Sequence, residues 1–249
     1  MKCFVGVIVA GLACSAALAD VTGSGLTITA TSGSGRSASY TINGTWVGND
    51  FIWESDQRVE FNDGLGVLGV LNPNSETSSF SYFADPAIAL NFNVQAGASD
   101  TTFMIGSALL SFPTISSPHG VASAAFSVTD VTGDGALLTG ANTGGGAYLA
   151  QYNGLASSNS GTTFTELISS VSAGAFATDS TNEQSPVAGF SNIGVPISDV
   201  SSFLSFSLSA HDLASGTTSF FVDAIPEPTG IVLGLIGLAG VAAARRRIA

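Results

Sequence analysis

Five carboxylates fall within fourteen residues: Asp50, Glu54, Asp56, Glu60 and Asp63, with Phe51 and Trp53 among them. Clustered carboxylate oxygens are what Ca2+ takes. Two carboxylates ~5–10 Å apart, beside an aromatic ring on which a sugar can lie, are what glycoside hydrolysis uses. Trp53, Glu54 and Asp56 are therefore the candidate ligand-binding residues. The same run also reads as a solvated acidic face that keeps an edge strand from pairing with another chain.

A second group is Asp130-Val131-Thr132-Gly133-Asp134-Gly135. Asp130, Asp134 and Gly135 fit the first, fifth and sixth positions of a calcium loop, with Thr132 at the third. Ala141 stands where the bidentate Glu belongs. A glycine-rich hairpin turn between strands at 121–129 and 136–139 explains the same residues. Asp130 and Asp134 are the candidate metal ligands, Ca2+ is the ion they would take, and no other cofactor is implied. His119 reads as a loop residue between Pro118 and Gly120, and His211 lies beside Asp212 at a strand end. A hydrolase triad would need one of them near a serine, but no G-x-S-x-G occurs, and no catalytic residue is assigned. Trp46, Trp53, Tyr148 and Tyr152 could stack on sugar rings or fill a core.

The elements that must position these residues are strands. Ile88, Leu90, Phe92 and Val94 alternate with Ala89, Asn91, Asn93 and Gln95, and Leu204, Phe206, Leu208 and Ala210 alternate with Ser205, Ser207, Ser209 and His211. Alternation of this kind puts one face in a core and one in water. Further strands are read at 101–112, 121–129, 147–152 and 219–223. Over 163–177, Phe164, Leu167, Ile168 and Val171 sit at helical spacing, which admits a short helix. Thirty Gly, eight Pro and sixteen Phe suit many short strands joined by tight turns. The expected fold is all-β, an antiparallel β-sandwich or jelly roll.

Charge narrows the function. Charged residues are 10% of the 249 and hydrophobic ones 45%. Between Asp20 and Asp223, Arg36 and Arg58 stand against seventeen acids, a net charge of −15. Nucleic acid is excluded as a partner, since its binding rests on Lys and Arg at phosphates. Both cysteines, Cys3 and Cys14, precede Asp20, and no lysine follows Lys2. Disulfide, Cys-zinc, Schiff-base and P-loop chemistry are therefore absent from the body of the chain.

The two ends read as addresses. Lys2, an apolar run to Leu12, and Ala17-Leu18-Ala19 before Asp20 have the layout of a secretory signal peptide cleaved after Ala19. Its partners would be the Sec translocon and signal peptidase. Cys14 admits lipoprotein acylation instead, although Gly11 and Leu12 depart from that pattern. At the other end Pro226-Glu227-Pro228 precedes an uncharged apolar stretch, 230–244, closed by Arg245, Arg246 and Arg247. As a helix, those fifteen residues would cover about 22 Å, short of the ~30 Å hydrocarbon core, and the three arginines would stop the segment at the headgroups.

This tail resembles the PEP-CTERM sorting signal of Gram-negative bacteria, whose pattern is Pro-Glu-Pro, a short apolar helix and a terminal arginine cluster. The resemblance implies that Pro226, Glu227 and Pro228 are recognised by an exosortase-type membrane protease, with transient residence in the inner membrane. It covers about twenty-five residues, and the cargo of such tails varies. The expected organisation is a signal peptide at 1–19, a β-rich exported domain at 20–224 and a sorting tail with a short transmembrane helix at 225–249. The expected function is a non-enzymatic structural or adhesive protein at the cell surface or in an extracellular, exopolysaccharide-rich biofilm matrix. The alternatives are a carbohydrate-binding module for that polysaccharide and a secreted glycoside hydrolase.

Overall fold

The computed structural model describes residues 20–22, 26–47 and 50–224. The signal peptide read over 1–19 and the sorting motif, apolar helix and arginines read over 225–249 lie outside them. Among the described residues, no helix is long and apolar enough to cross a membrane.

The chain runs through β1 (Asp20–Thr22), β2 (Thr27–Ser32), β3 (Ser37–Thr41), β4 (Thr45–Val47), β5 (Asp50–Ser55), β6 (Val59–Asn62), β7 (Val67–Leu71), β8 (Ser78–Phe83), β9 (Ala87–Ala96) and β10 (Thr101–Gly106). It continues through β11 (Leu109–Ile115), β12 (Pro118–Thr129), β13 (Ala136–Gly140), β14 (Tyr148–Tyr152), β15 (Thr162–Leu167), β16 (Ser170–Ala173), β17 (Thr178–Ser185), β18 (Ser191–Asn192), β19 (Ile197–Leu208) and β20 (Leu213–Ala224). All of the strand pairings are antiparallel, and they form two sheets of ten strands. In the first sheet β19 is central, flanked by β10 and β11 on one side and by β13 and β14 on the other. In the second, β20 lies between β9 and β12, with β8 beyond β9 and β17 beyond β12.

The alternating segments explain why the sheets face each other. Ile88, Phe92 and Val94 of β9 and Leu204, Phe206 and Leu208 of β19 are completely buried. Phe206 of the first sheet lies 5.3 Å from Phe92 and 6.1 Å from Phe126 of the second, ring centroid to centroid, so it joins the two inner faces. Phe92 and Phe126 meet edge-to-face at 5.4 Å. They do so over Gly216, where a Cβ would come within 2.4 Å of the Phe126 ring. Truncating a fully buried Phe of this kind costs about 3–5 kcal/mol.

Both fully buried tyrosines of the sandwich are paired. The buried Tyr82 hydroxyl accepts the Ala108 N–H, and the Tyr148 hydroxyl lies 3.0 Å from Ser202 Oγ. Burial pushes both phenols up from their ordinary values.

Three expectations are corrected. The segment 101–112 is two strands, because the chain breaks at Ser107, whose Oγ accepts the Ser202 N–H at 2.6 Å. The segment 163–177 holds no helix. It contains β15 and β16, and Ile168 between them takes φ +59°, which reverses the two-residue phase and leaves Leu167, Ile168 and Val171 all buried. A phase reversal inside a strand pair thus imitates helical spacing. The turn at 130–135 is not a hairpin: β12 belongs to the second sheet and β13 to the first, so the turn carries the chain across the sandwich.

Candidate functional site

Two crossovers between the sheets lie side by side, the 130–135 turn and the 209–212 corner that joins β19 to β20. Ser209 stitches them together. Its N–H donates to the Leu137 carbonyl, and its Oγ accepts the Leu137 N–H at 2.8 Å. They bring Asp130, Asp134 and Asp212 together, with one oxygen of each within 4.8 Å of the others.

Asp130 is buried and accepts backbone N–H groups from Thr132, Gly133 and Phe176, the last at 2.6 Å. Burial by itself would raise its pKa. The N–H groups of Phe176, Gly133, Thr132 and Gly135 outweigh that and hold the carboxyl well below the usual range. Asp212 is also buried, but among the described residues it has only the Ser209 hydroxyl and a 3.4 Å contact from the Val131 N–H. Burial pushes its carboxyl up, and the charges of Asp130 and Asp134 add to the rise.

The sequence reading missed Asp212 as a member of this group, since nothing local ties it to residue 130. It is the third carboxylate of the group, whereas the calcium-loop pattern would have drawn one from position 141, which is Ala. The oxygens are of the type a hard cation takes, and a single ion with ~2.3–2.6 Å bonds spans the 4.8 Å separation. Asp130, however, has both oxygens engaged by main-chain N–H groups. Its visible role is to brace the crossover.

The run from Asp50 to Asp63 does not converge. Glu54 and Asp56 are exposed. Glu60 pairs with Arg58 at 2.8 Å. Asp63 takes the Arg36 guanidinium on both oxygens, joining the β2–β3 turn of one sheet to the β6–β7 turn of the other. That hydrogen-bonded ion pair holds Asp63 well below the usual carboxylate range. Asp50 accepts the Ala84 N–H at 2.9 Å and borders a cavity of about 800 Å³ with Asp85, Asp223, Phe190 and Phe221.

Trp53 is not a sugar platform. It is buried and stacks on Phe80 at 5.1 Å, because it occupies an inward position of β5. Tyr148 is likewise core, and Tyr152 is half-buried. The Trp46 side chain lies outside the described set. His119 opens β12 rather than lying in a loop, and its ring faces the Ser117 carbonyl. His211 sits in the corner with φ +68°. Among the described residues, no serine hydroxyl bonds to either ring.

The outer face of the second sheet carries a groove. Strand register sets its outward side chains in rows across the strands: Asn93–Ser215–Ser127–Ser180, then Ser79–Asn91–Thr217–Ala125–Asn182, then Ser81–Ala89–Ser219–Ser123–Gln184. None is charged and none is aromatic. Two cavities of about 550 and 380 Å³ open on these rows and share Asn91, Thr217, Ala125 and Asn182. Glu183 belongs to the same edge strand, but it turns its carboxylate the other way to accept the Ile168 N–H at 2.7 Å.

No known family model matches the chain, and neither does any curated protein. Among solved structures, a cryo-EM structure of Broad Bean Stain Virus is similar at 10% identity and TM-score 0.23, over 84% of this chain and 88% of that one. Isomalto-dextranase of Arthrobacter globiformis T6, complexed with panose, is similar at 10% identity and TM-score 0.21, over 79% of this chain and 31% of that one. Infectious bursal disease virus, Gx strain, follows at 12% identity and TM-score 0.16, over 87% and 63%. At these scores the likenesses carry no argument about function. The class that the fold itself defines is an acidic, antiparallel β-sandwich.

Proposed function

We propose that the chain is an exported, surface-sorted protein without catalytic apparatus, structural or adhesive at the cell surface or in the extracellular matrix. One observation carries the non-catalytic part: where the carboxylates go. Those of the 50–63 run are exposed or tied up by Arg36, Arg58 and the Ala84 N–H; at the crossover Asp130 braces main-chain turns, and Asp134 and Asp212 accept the Thr132 and Ser209 hydroxyls. Among the described residues, none of these carboxylates lines the groove of the second sheet. The export part rests on the two terminal signals. Residues 1–19 would be removed by signal peptidase after Sec passage, and the Pro226-Glu227-Pro228 motif would be read by an exosortase-type protease.

Mass spectrometry of the protein recovered from the cell surface tests this directly. The expected mature form starts at Asp20 and ends near Pro226–Pro228. Glu227→Ala, or replacement of Arg245, Arg246 and Arg247 by alanine, should block surface delivery and leave the melting temperature of the body unchanged. Recovery of the unprocessed chain from cytoplasm would sink the reading.

A further inference from the structure

We propose that the groove on the second sheet binds an extended, uncharged polysaccharide chain lying across the strands. Its central row supplies the chemistry. Asn91, Thr217 and Asn182 stand in one cross-strand line, and among the described residues their side chains make no hydrogen bond to the protein. Amide and hydroxyl groups that both donate and accept are the natural partners of sugar hydroxyls, each of which does the same. Ala125, in the same row, lowers the floor between Thr217 and Asn182.

Shape and charge select the occupant. The two cavities share this row, so they form one channel, and the row from Ser79 to Asn182 crosses four strand gaps, roughly 19 Å at about 4.8 Å each. That length holds several sugar rings in line. A peptide strand would add to a free sheet edge. The floor here is β9, β20 and β12, each already paired on both sides. An anionic polymer would meet the −15 field of the body. A cationic one would find no carboxylate among the outward side chains of the rows, since Glu183, which borders the channel, turns its carboxylate to the Ile168 N–H. The groove rows themselves carry no ring, the exposed Phe221 standing one row beyond them on β20, so binding would rest on hydrogen bonds summed along the chain, and affinity should rise with polymer length.

This goes beyond the export reading and does not depend on it; the groove would bind the same polymer whether or not the tail is processed. Affinity electrophoresis of the purified full-length protein tests it, with hydroxyethylcellulose, dextran and galactomannan as neutral probes and alginate as the anionic one. At least one neutral polymer should retard the protein, and alginate should not. Asn91→Ala with Asn182→Ala should weaken retention roughly tenfold or more, and Thr31→Ala, on the outer face of the other sheet, should not change it. Thr217→Glu, which places a carboxylate in the channel and removes no protein hydrogen bond, should give the same loss if the double variant folds poorly. Retardation by alginate alone, by no neutral polymer, or equally in wild type and in the folded groove variants would overturn the proposal.

Discussion

The two acidic groups of this chain are built in opposite ways. Asp50, Glu54, Asp56, Glu60 and Asp63 are neighbours in sequence and end apart, while Asp130 and Asp212, separated by 82 positions, end within reach of one carboxylate oxygen to another. The cause is geometric. Along a strand successive side chains point to opposite faces, and a turn fans them further, so a local run of acids in β5, β6 and the turns that follow each disperses. Convergence in a sandwich comes where the chain changes sheets, because two crossovers at one end place residues from distant strands in contact. For this fold, acids near each other in sequence are poor evidence of a site, and acids at crossovers are better evidence.

The largest test of that contrast is Asp130→Ala. The substitution leaves the N–H groups of Thr132, Gly133 and Phe176 without their acceptor at a buried corner. The melting temperature, followed by circular dichroism, should fall by on the order of 5–10 °C. A fall of under one degree would mean that the converged carboxylate braces nothing, and the contrast would fail.

Asp212 sharpens it through pH. Its folded-state pKa is raised, so between the unfolded value of about 3.9 and the raised folded value the native protein holds the extra proton. Stability therefore increases as pH falls through that window and decreases as pH rises. Asp130 and Asp63 are depressed, so the stability they contribute is present above about 3.9 and is lost as pH falls below it. Stability measured by urea titration should rise as the pH falls from neutral toward about 4 and drop below it. Asp212→Asn should flatten the alkaline-side decline and leave the protein at least as stable at pH 7. If calcium instead raises the melting temperature of chelator-treated protein and Asp212→Asn abolishes that rise, the corner is a cation site and not only a brace.

The core was legible in the sequence, and the convergences were not. Period-two alternation marks Ile88 to Val94 and Leu204 to Leu208 because each strand has one face in the core and a polar or small-residue face outward. The apolar positions are buried as expected, while Ser205, expected outward, is buried too and Ala210, past the end of β19, is only half-buried. Phe164, Leu167, Ile168 and Val171 misled because a positive-φ residue between two short strands changes the phase without changing the composition. Trp53 was legible as a large ring, but its face was not: only the register with Phe80 turns it inward. Asp212 and the groove rows were invisible for a different reason. Both depend on which strands are neighbours, and β9, β20 and β12 are far apart along the chain. A row such as Asn91, Thr217 and Asn182 has no spacing rule that a single sequence displays.

Asp63 is the intermediate case, a member of the dispersed run that nevertheless ties two turns together. Asp63→Asn removes the bidentate partner of Arg36 and weakens the acceptor for the Leu65 and Gly66 N–H groups. It should lower the melting temperature, but by less than Asp130→Ala, because the ion pair is partly open to solvent and water replaces much of what it loses. Raising the salt concentration should shrink the difference between variant and wild type.

The smallest effect belongs to Glu54→Gln, Asp56→Asn and Glu60→Gln combined. Glu54 and Asp56 are exposed, and the Glu60–Arg58 pair is about half exposed on both sides. Such pairs contribute between 0 and ~1 kcal/mol, and exposed substitutions away from caps and cores stay within about 0.5 kcal/mol. The triple variant should therefore melt within roughly 1–3 °C of wild type, while its net charge becomes less negative by three. The change should appear in solubility near the acidic isoelectric point, where the lost charges no longer keep molecules apart. A melting temperature lowered as far as in Asp130→Ala would show that the dispersed run carries a structural duty its geometry does not display. In that case proximity in sequence would be as informative here as convergence in space.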